Sequence, residues 1–266
     1  MKTTKEFIIA AGILGIVIIS TAFVTLHSKK DMKLPQEDNK GFALVELFTS
    51  EGCSSCPQAD ELVAKIQKDN PHNQIYILAW HVDYWDRQGW KDIYSDAEYT
   101  KRQSRYAEWL RLQTIYTPQI VTNGKTEFVG SNEHALLTAI STGLKEIPAQ
   151  TLRLNSTIKN GQINVRYETD GFQKQSDLTI ALVQRSGHSQ VKAGENSGRT
   201  LTHVQIVRKI AVETLRANTG ELSLAQPKDY NEQEWELIGF VQNKTNGTIL
   251  SAARSELTTG NRPNNP

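Results

Sequence analysis

Apolar and polar positions divide the chain into three stretches of different rhythm. Phe7 to Leu26 is a run of twenty residues without a charge, preceded by Lys2 and Lys5 and followed by His27, Lys29 and Lys30. As a helix it would measure about 30 Å, enough to cross a hydrocarbon core. It reads as an uncleaved membrane anchor or as a signal peptide cut at Ser20-Thr21-Ala22. The anchor is favoured because the apolar run continues past Ala22, while lysines on both flanks specify its orientation weakly. Either way the soluble part is exported, periplasmic or extracytoplasmic, and membrane-anchored or secreted. Residues 27–40 are polar with one proline and read as a linker.

From 42 to 148 short apolar runs alternate with helical spacing. Phe42–Phe48 is short and continuous, as in a buried strand. Leu62, Val63 and Ile66 lie on a helix that Asn70-Pro71 ends. Gln74–Trp80, β-branched and aromatic, predicts a second strand. Strand, helix and strand so close together predict a right-handed βαβ unit on a parallel sheet. A helix follows, with Ser95-x-x-Glu98 as a capping box and Tyr99, Tyr106, Trp109 and Leu110 on its apolar face. Gln119–Val121 and Thr126–Val129 flank Asn123-Gly124, a hairpin signal. Ser131 is placed to cap a last helix over Ala135, Leu136, Ala139, Ile140 and Leu144, and Pro148 closes the unit.

Beyond 149 the rhythm becomes alternation with turns. Strands are predicted at Thr151–Ile158, Gln162–Thr169, Leu178–Gln184, Leu201–Val212, Trp235–Gln242 and Thr248–Arg254, with turns at Asn160-Gly161 and Asn246-Gly247. The fold class is therefore α/β over 41–148, followed by a β-sandwich-like domain over 149–257 and a disordered tail over 258–266.

Composition changes this picture little. Hydrophobic content of 38% and charged content of 22% fit a folded protein with one unusual segment. A net charge of +1 and no clustered basic face exclude an electrostatic case for nucleic acid. The cysteines change it more. Cys53 and Cys56 are the only two, and they stand at C-x-x-C spacing between the first strand and the first helix. That is the layout of a thioredoxin-like redox site. Outside the cytosol such a pair rests as a disulfide unless something reduces it.

Cys53, at the helix N-terminus, is the attacking thiol, and the helix dipole would draw it from about 8.5 towards about 7. Glu51 opposes that shift. Cys56 is the resolving thiol. The alternatives are a structural disulfide, although a loop of four residues constrains the unfolded chain little, a soft-metal module binding Cu(I) with His81, or a redox-silent scaffold. Met1 and Met32 are the only methionines, which argues against the metal reading. No cofactor is implied. The expected partner is a disulfide-bearing protein or a small thiol.

Three further groups are candidates. Thr117-Pro118, just before the hairpin, would face the C-x-x-C turn if cis, with the Thr117 backbone open to a substrate strand. Glu46, on the first strand, is either buried near the disulfide, where it would take the proton of the resolving thiol, or turned to the surface. His81 and Asp83 would share a face if the second strand continues. They are candidate acid/base or metal groups, with Tyr84, Trp85 and Trp90 as an apolar recognition surface. The bland alternative is a packed, hydrogen-bonded loop.

Together Val-Glu-Leu-Phe-Thr-Ser-Glu-Gly-Cys-Ser-Ser-Cys-Pro (45–57), His-Val-Asp-Tyr-Trp-Asp (81–86), Gly-Trp-Lys-Asp (89–92), Tyr-Thr-Pro-Gln (116–119), the 194–203 segment and Ile249–Arg254 resemble a secreted thioredoxin-like family catalogued only as a domain of unknown function. The resemblance implies a thioredoxin-like domain with a β-rich partner domain, and no assigned substrate. The wider likeness to thioredoxins carries over Cys53, Cys56 and Pro118, and Glu46 loosely. Where thioredoxins place an aromatic residue before the first cysteine, this chain has Gly52. Glu195, Asn196, Arg199 and His203 form a polar group whose loop is expected either to fold over the redox edge or to be a self-contained turn.

Overall fold

The computed structural model describes residues 32–34, 40–171, 173–228, 230–231 and 233–259. Every element below lies within the unit 34–266. The apolar run 7–26, and the anchor or signal peptide read from it, lies outside the described residues. Among the described residues no helix is long and apolar enough to cross a membrane.

The first half follows its apolar runs closely. Strand β1 (Ala43–Thr49) leads through the cysteine turn into helix α1 (Cys56–Asp69), then strand β2 (Ile75–His81). Helix α2 (Ala97–Leu110), the hairpin β3 (Gln119–Thr122) and β4 (Thr126–Val129), and helix α3 (Glu133–Lys145) complete it. β1 and β2 are parallel in register from Ala43↔Ile75 to Thr49↔His81, and β3 runs antiparallel to β1. Asn123 and Gly124 both have positive φ, 51° and 65°, as the tight hairpin requires. Two caps differ from expectation. The Ser95 hydroxyl is taken by Asp86 and the Asp92 carbonyl, so Asp96 caps α2 by accepting from the Glu98 N–H. At α3 the cap is Asn132, not Ser131.

The second half holds β5 (Leu152–Lys159), β6 (Gln162–Thr169), β7 (Ser176–Gln190), β8 (Thr200–Thr214), β9 (Thr219–Ala225), β10 (Trp235–Asn243), β11 (Ile249–Ser255) and β12 (Leu257–Thr259). β9 carries too little apolar alternation to show in the sequence. β7 is far longer than its apolar stretch, because its polar end pairs with the start of β8 out to Gln190↔Thr200. β12 extends to Thr259, past the expected start of the tail, and pairs with β5.

Strands from both sides of 148–150 share one eight-stranded sheet, ordered β11-β10-β7-β8-β2-β1-β3-β4, with β8 joining β2 at Ala79↔Ile206. A four-stranded sheet, β12-β5-β6-β9, forms the second layer. Alternation along β7 and β10 feeds two cores. Leu178, Ile180, Leu182, Leu237 and Val241 face the small sheet, while Ala181, Val183, Ile238 and Phe240 join Phe48, Trp80, Tyr99 and Tyr106 beneath α2. The same rule separates the helices across β1. Glu46 bonds to α2, whereas Thr49 bonds to Asp60 of α1.

Candidate redox site and the buried cluster beneath it

The apolar run of β1 ends at Thr49 because Ser50 to Ser55 is short, polar and glycine-containing, and turns the chain into α1. The Cys53 N–H donates to the Ser50 carbonyl, and the Cys56 N–H to the Cys53 carbonyl. Cys53 and Cys56 are joined as a disulfide with Cα atoms 5.4 Å apart. Pro57 lies in the first turn of α1, where a missing N–H costs nothing. The pair is covered, for Cys53 is 1% exposed and Cys56 is fully buried.

Three loops are linked at this turn. The Thr117–Pro118 bond is cis. Trp85 ties that loop to the cysteine turn, since its Nε1 donates to Thr117 Oγ1 at 2.8 Å. A Cβ on Gly52 would stand only 3.0 Å from that of Trp85. Trp85 thus stands against the cysteine turn at Gly52. The third loop is 194–199, which lies across the turn. Asn196 Nδ2 donates to the carbonyls of Glu51 and Cys53, both at 2.9 Å, and Arg199 holds Asn196 Oδ1 at 2.7 Å. Glu195 Oε2 accepts from the Ser54 N–H at 3.0 Å, which holds its carboxyl below the ordinary glutamate value.

The predicted residues do not all converge. Glu46 is buried, but on the α2 face of the sheet, away from the turn that leads into α1. Arg102 grips it with Nε at 2.5 Å and Nη2 at 2.9 Å, and the Tyr106 hydroxyl donates to it as well. The guanidinium lies within 5.2 Å of the ring centres of Trp80, Tyr106 and Phe240 and also donates to Gln242. Glu46 is fully engaged as the counter-ion of a buried arginine. His81 and Asp83 part company because β2 ends at His81. Asp83 turns to α2, where the Thr100 hydroxyl donates to it at 2.5 Å. Tyr84 and Trp85 pack half-buried against the core under α2. Trp90 Nε1 donates to Glu51 Oε2 at 2.6 Å.

His81 instead faces a buried cluster in which Asp92 and Asp60 had not been singled out from the sequence. Its Nδ1 meets Asp92 Oδ2 at 2.7 Å, and the Glu51 N–H donates to that same oxygen at 2.9 Å. Burial pulls the His81 imidazole down, but Asp92, with Asp60 and Glu51 behind it, outweighs this and holds it above the ordinary histidine value. Burial pushes Asp92 up, and His81 with the Glu51 and Tyr94 N–H groups brings it below the usual carboxylate range. His203, on β8, stacks edge-on to His81 with ring centres 4.7 Å apart. Its Nδ1 lies 3.6 Å from Asp60 Oδ1 and its Nε2 lies 3.9 Å from Glu51 Oε1. Glu51, Asp60, His81, Asp92 and His203 are all buried to 3% exposure or less. The available signals were Asp60, one helical turn beyond Cys56, and Asp92 in the Gly-Trp-Lys-Asp motif. Among the described residues, no group of three or more His, Cys, Asp or Glu side chains is arranged to hold a metal ion.

Comparison with known proteins places these features in a family. A family model described as "Protein of unknown function (DUF1223)" matches residues 44–242. A crystal structure of a protein from Agrobacterium tumefaciens is similar at 24% identity and a TM-score of 0.63, over 87% of this chain and all of that one. It shares the fold. A domain of the outer membrane lipoprotein Omp28 from Porphyromonas gingivalis matches 43% of this chain and 92% of its own, at 9% identity and a TM-score of 0.27. No curated protein matches the sequence.

Proposed function

We propose that this chain, which belongs to the DUF1223 family of proteins of unknown function, is an exported thiol–disulfide oxidoreductase whose 41–148 half has a thioredoxin-like fold. The observation that carries the reading is the Cys53–Cys56 disulfide at the turn from β1 into α1, with the Thr117-Pro118 loop tied to that turn through Trp85. In the dithiol form the Cys53 thiolate attacks a substrate disulfide. One substrate sulfur leaves as a thiolate and a mixed disulfide forms. Cys56 then attacks Cys53 Sγ, the second substrate sulfur leaves, and the Cys53–Cys56 bond closes. The substrate gains two electrons and the protein loses two. The partner is a disulfide-bearing protein or a small thiol, and residues 7–26 would deliver the site to the exported side.

The test is Cys53→Ser. Purified reduced protein should reduce a model aromatic disulfide, and the variant should not. Equal rates with and without Cys53 would end the mechanism. The burial of Cys53 favours a second reading, a redox-silent scaffold with a structural disulfide. The reduction potential separates the two, because structural disulfides lie below about −300 mV.

A further inference from the structure

We propose that His203, held between Asp60 and Glu51, is the proton acceptor for the resolving thiol of Cys56. This rests on the oxidoreductase reading and names the base that reading lacks. Glu46, the acid expected to serve, is occupied by Arg102 and Tyr106 on the other face of the sheet. On the cysteine side, Asp60 sits four residues beyond Cys56 in α1, one turn along the same face, and both are buried.

The cluster contains proton-binding atoms with no hydrogen-bond partner among the described residues. His203 Nδ1 and Nε2, Asp60 Oδ1 and Glu51 Oε1 are all buried, with no protein partner at hydrogen-bond length. Buried polar atoms are seldom left unpaired, and where they are a proton-transfer role is one physical reason. Here five titratable side chains face one another. Glu51 comes from the turn after β1, Asp60 from α1 and His81 from β2. Asp92 bonds to His81, and His203 comes from β8. Tyr94 closes the group with its ring 5.7 Å from that of His203, and Arg208 lies over the outer face of Tyr94. The backbone around His203 is irregular. Two residues on, Gln205 takes a left-handed φ of 54° in mid-strand, which an ordinary strand would not tolerate. Opposite His203 in the ladder, Gly187 leaves the space that the Tyr94 hydroxyl fills, for a Cβ there would lie 2.4 Å from it.

The step balances. The proton of Cys56 passes to His203, with Asp60 positioning the imidazole. Cys56 Sγ bonds to Cys53 Sγ, the bond from Cys53 to the substrate sulfur breaks, and that sulfur leaves with the electron pair. On reduction of the protein's own disulfide the proton returns.

Stopped-flow reaction of the reduced full-length protein with dithiobis(nitrobenzoate) separates the events. The first thionitrobenzoate reports attack by Cys53, and the second reports resolution by Cys56. In His203→Gln and Asp60→Asn the first phase should be unchanged. The second should slow by about 100-fold or more in His203→Gln. It should also climb with pH across the whole thiol range instead of levelling off. A resolving phase with wild-type rate and pH profile in both variants would overturn the proposal. In the unmutated protein, imidazole NMR of His203 should differ in protonation between dithiol and disulfide forms, and identical titration curves would also overturn it. The two readings fail separately. Loss of both phases in Cys53→Ser with an unaltered resolving phase in His203→Gln would leave the oxidoreductase standing and remove only the base.

Discussion

Replacing Glu46 with Gln isolates the buried arginine from the redox chemistry. Arg102 is 8% exposed, surrounded by Trp80, Tyr106 and Phe240, and its only carboxylate neighbour at ion-pair distance among the described residues is Glu46. Burial alone would lower the guanidinium's affinity for its proton, yet Glu46 and Tyr106 raise it above the ordinary arginine value. Removing one partner of a buried ion pair leaves the other uncompensated, at a cost of about 3–5 kcal/mol. A chain of this size loses roughly 2–4 °C in Tm per kcal/mol, so the midpoint should fall by about 6–20 °C. The double variant Glu46→Gln with Arg102→Met should recover most of that, because an apolar replacement of a buried pair is often neutral or better. Urea unfolding with an unchanged m-value measures the loss, and the reduction potential of the cysteine pair should not move. Two results would refute the reasoning. One is a loss under about 1 kcal/mol. The other is a potential shifted by 30 mV, about 1.4 kcal/mol for this couple, at unchanged stability.

The buried pair His81–Asp92 gives stability a pH window. His81 is held above its ordinary value of 6.5, so its contribution is full below that pH and is lost as pH rises through the folded-state value. Asp92 is held below 3.8, so its share is present above that pH and is lost as pH falls through its folded value. Thermal unfolding from pH 4 upward should therefore show an alkaline decline that His81→Gln flattens, and parallel profiles would contradict it. Asn196→Ala removes both bonds to the cysteine turn, worth about 1–3 kcal/mol together. Reduction of Cys53–Cys56 by dithiothreitol should accelerate, whereas an unchanged rate in a folded variant would mean that the loop does not control access.

Short-range chemistry was the legible part of this chain. The apolar runs at 42–48 and 74–80, the helix after Cys56 and the Asn123-Gly124 turn depend on neighbours in sequence, and each appears within about a residue of its predicted place. The caps moved by one residue because Ser95 found better partners in Asp86 and Asp92, which sequence spacing does not report. Glu46 could not be assigned a face from alternation alone, since β1 is buried on both sides. The meeting of Asp60 and His203 was not visible for a different reason. His203 is 143 residues from Asp60 along the chain, and they meet because β8 joins the sheet beside β2, a long-range pairing that local pattern does not report.

The shared sheet has a consequence for dissecting the molecule. A fragment ending at 148 would keep both cysteines, the cis proline and helices α1, α2 and α3. It would also lose Gln242 and Phe240 from around Arg102, Asn196 from over the turn and His203 from beside Asp60. β2 would become a bare edge of seven buried, mostly apolar residues, the kind of strand that recruits other chains. The half that carries the cysteines is an incomplete protein without the half that does not.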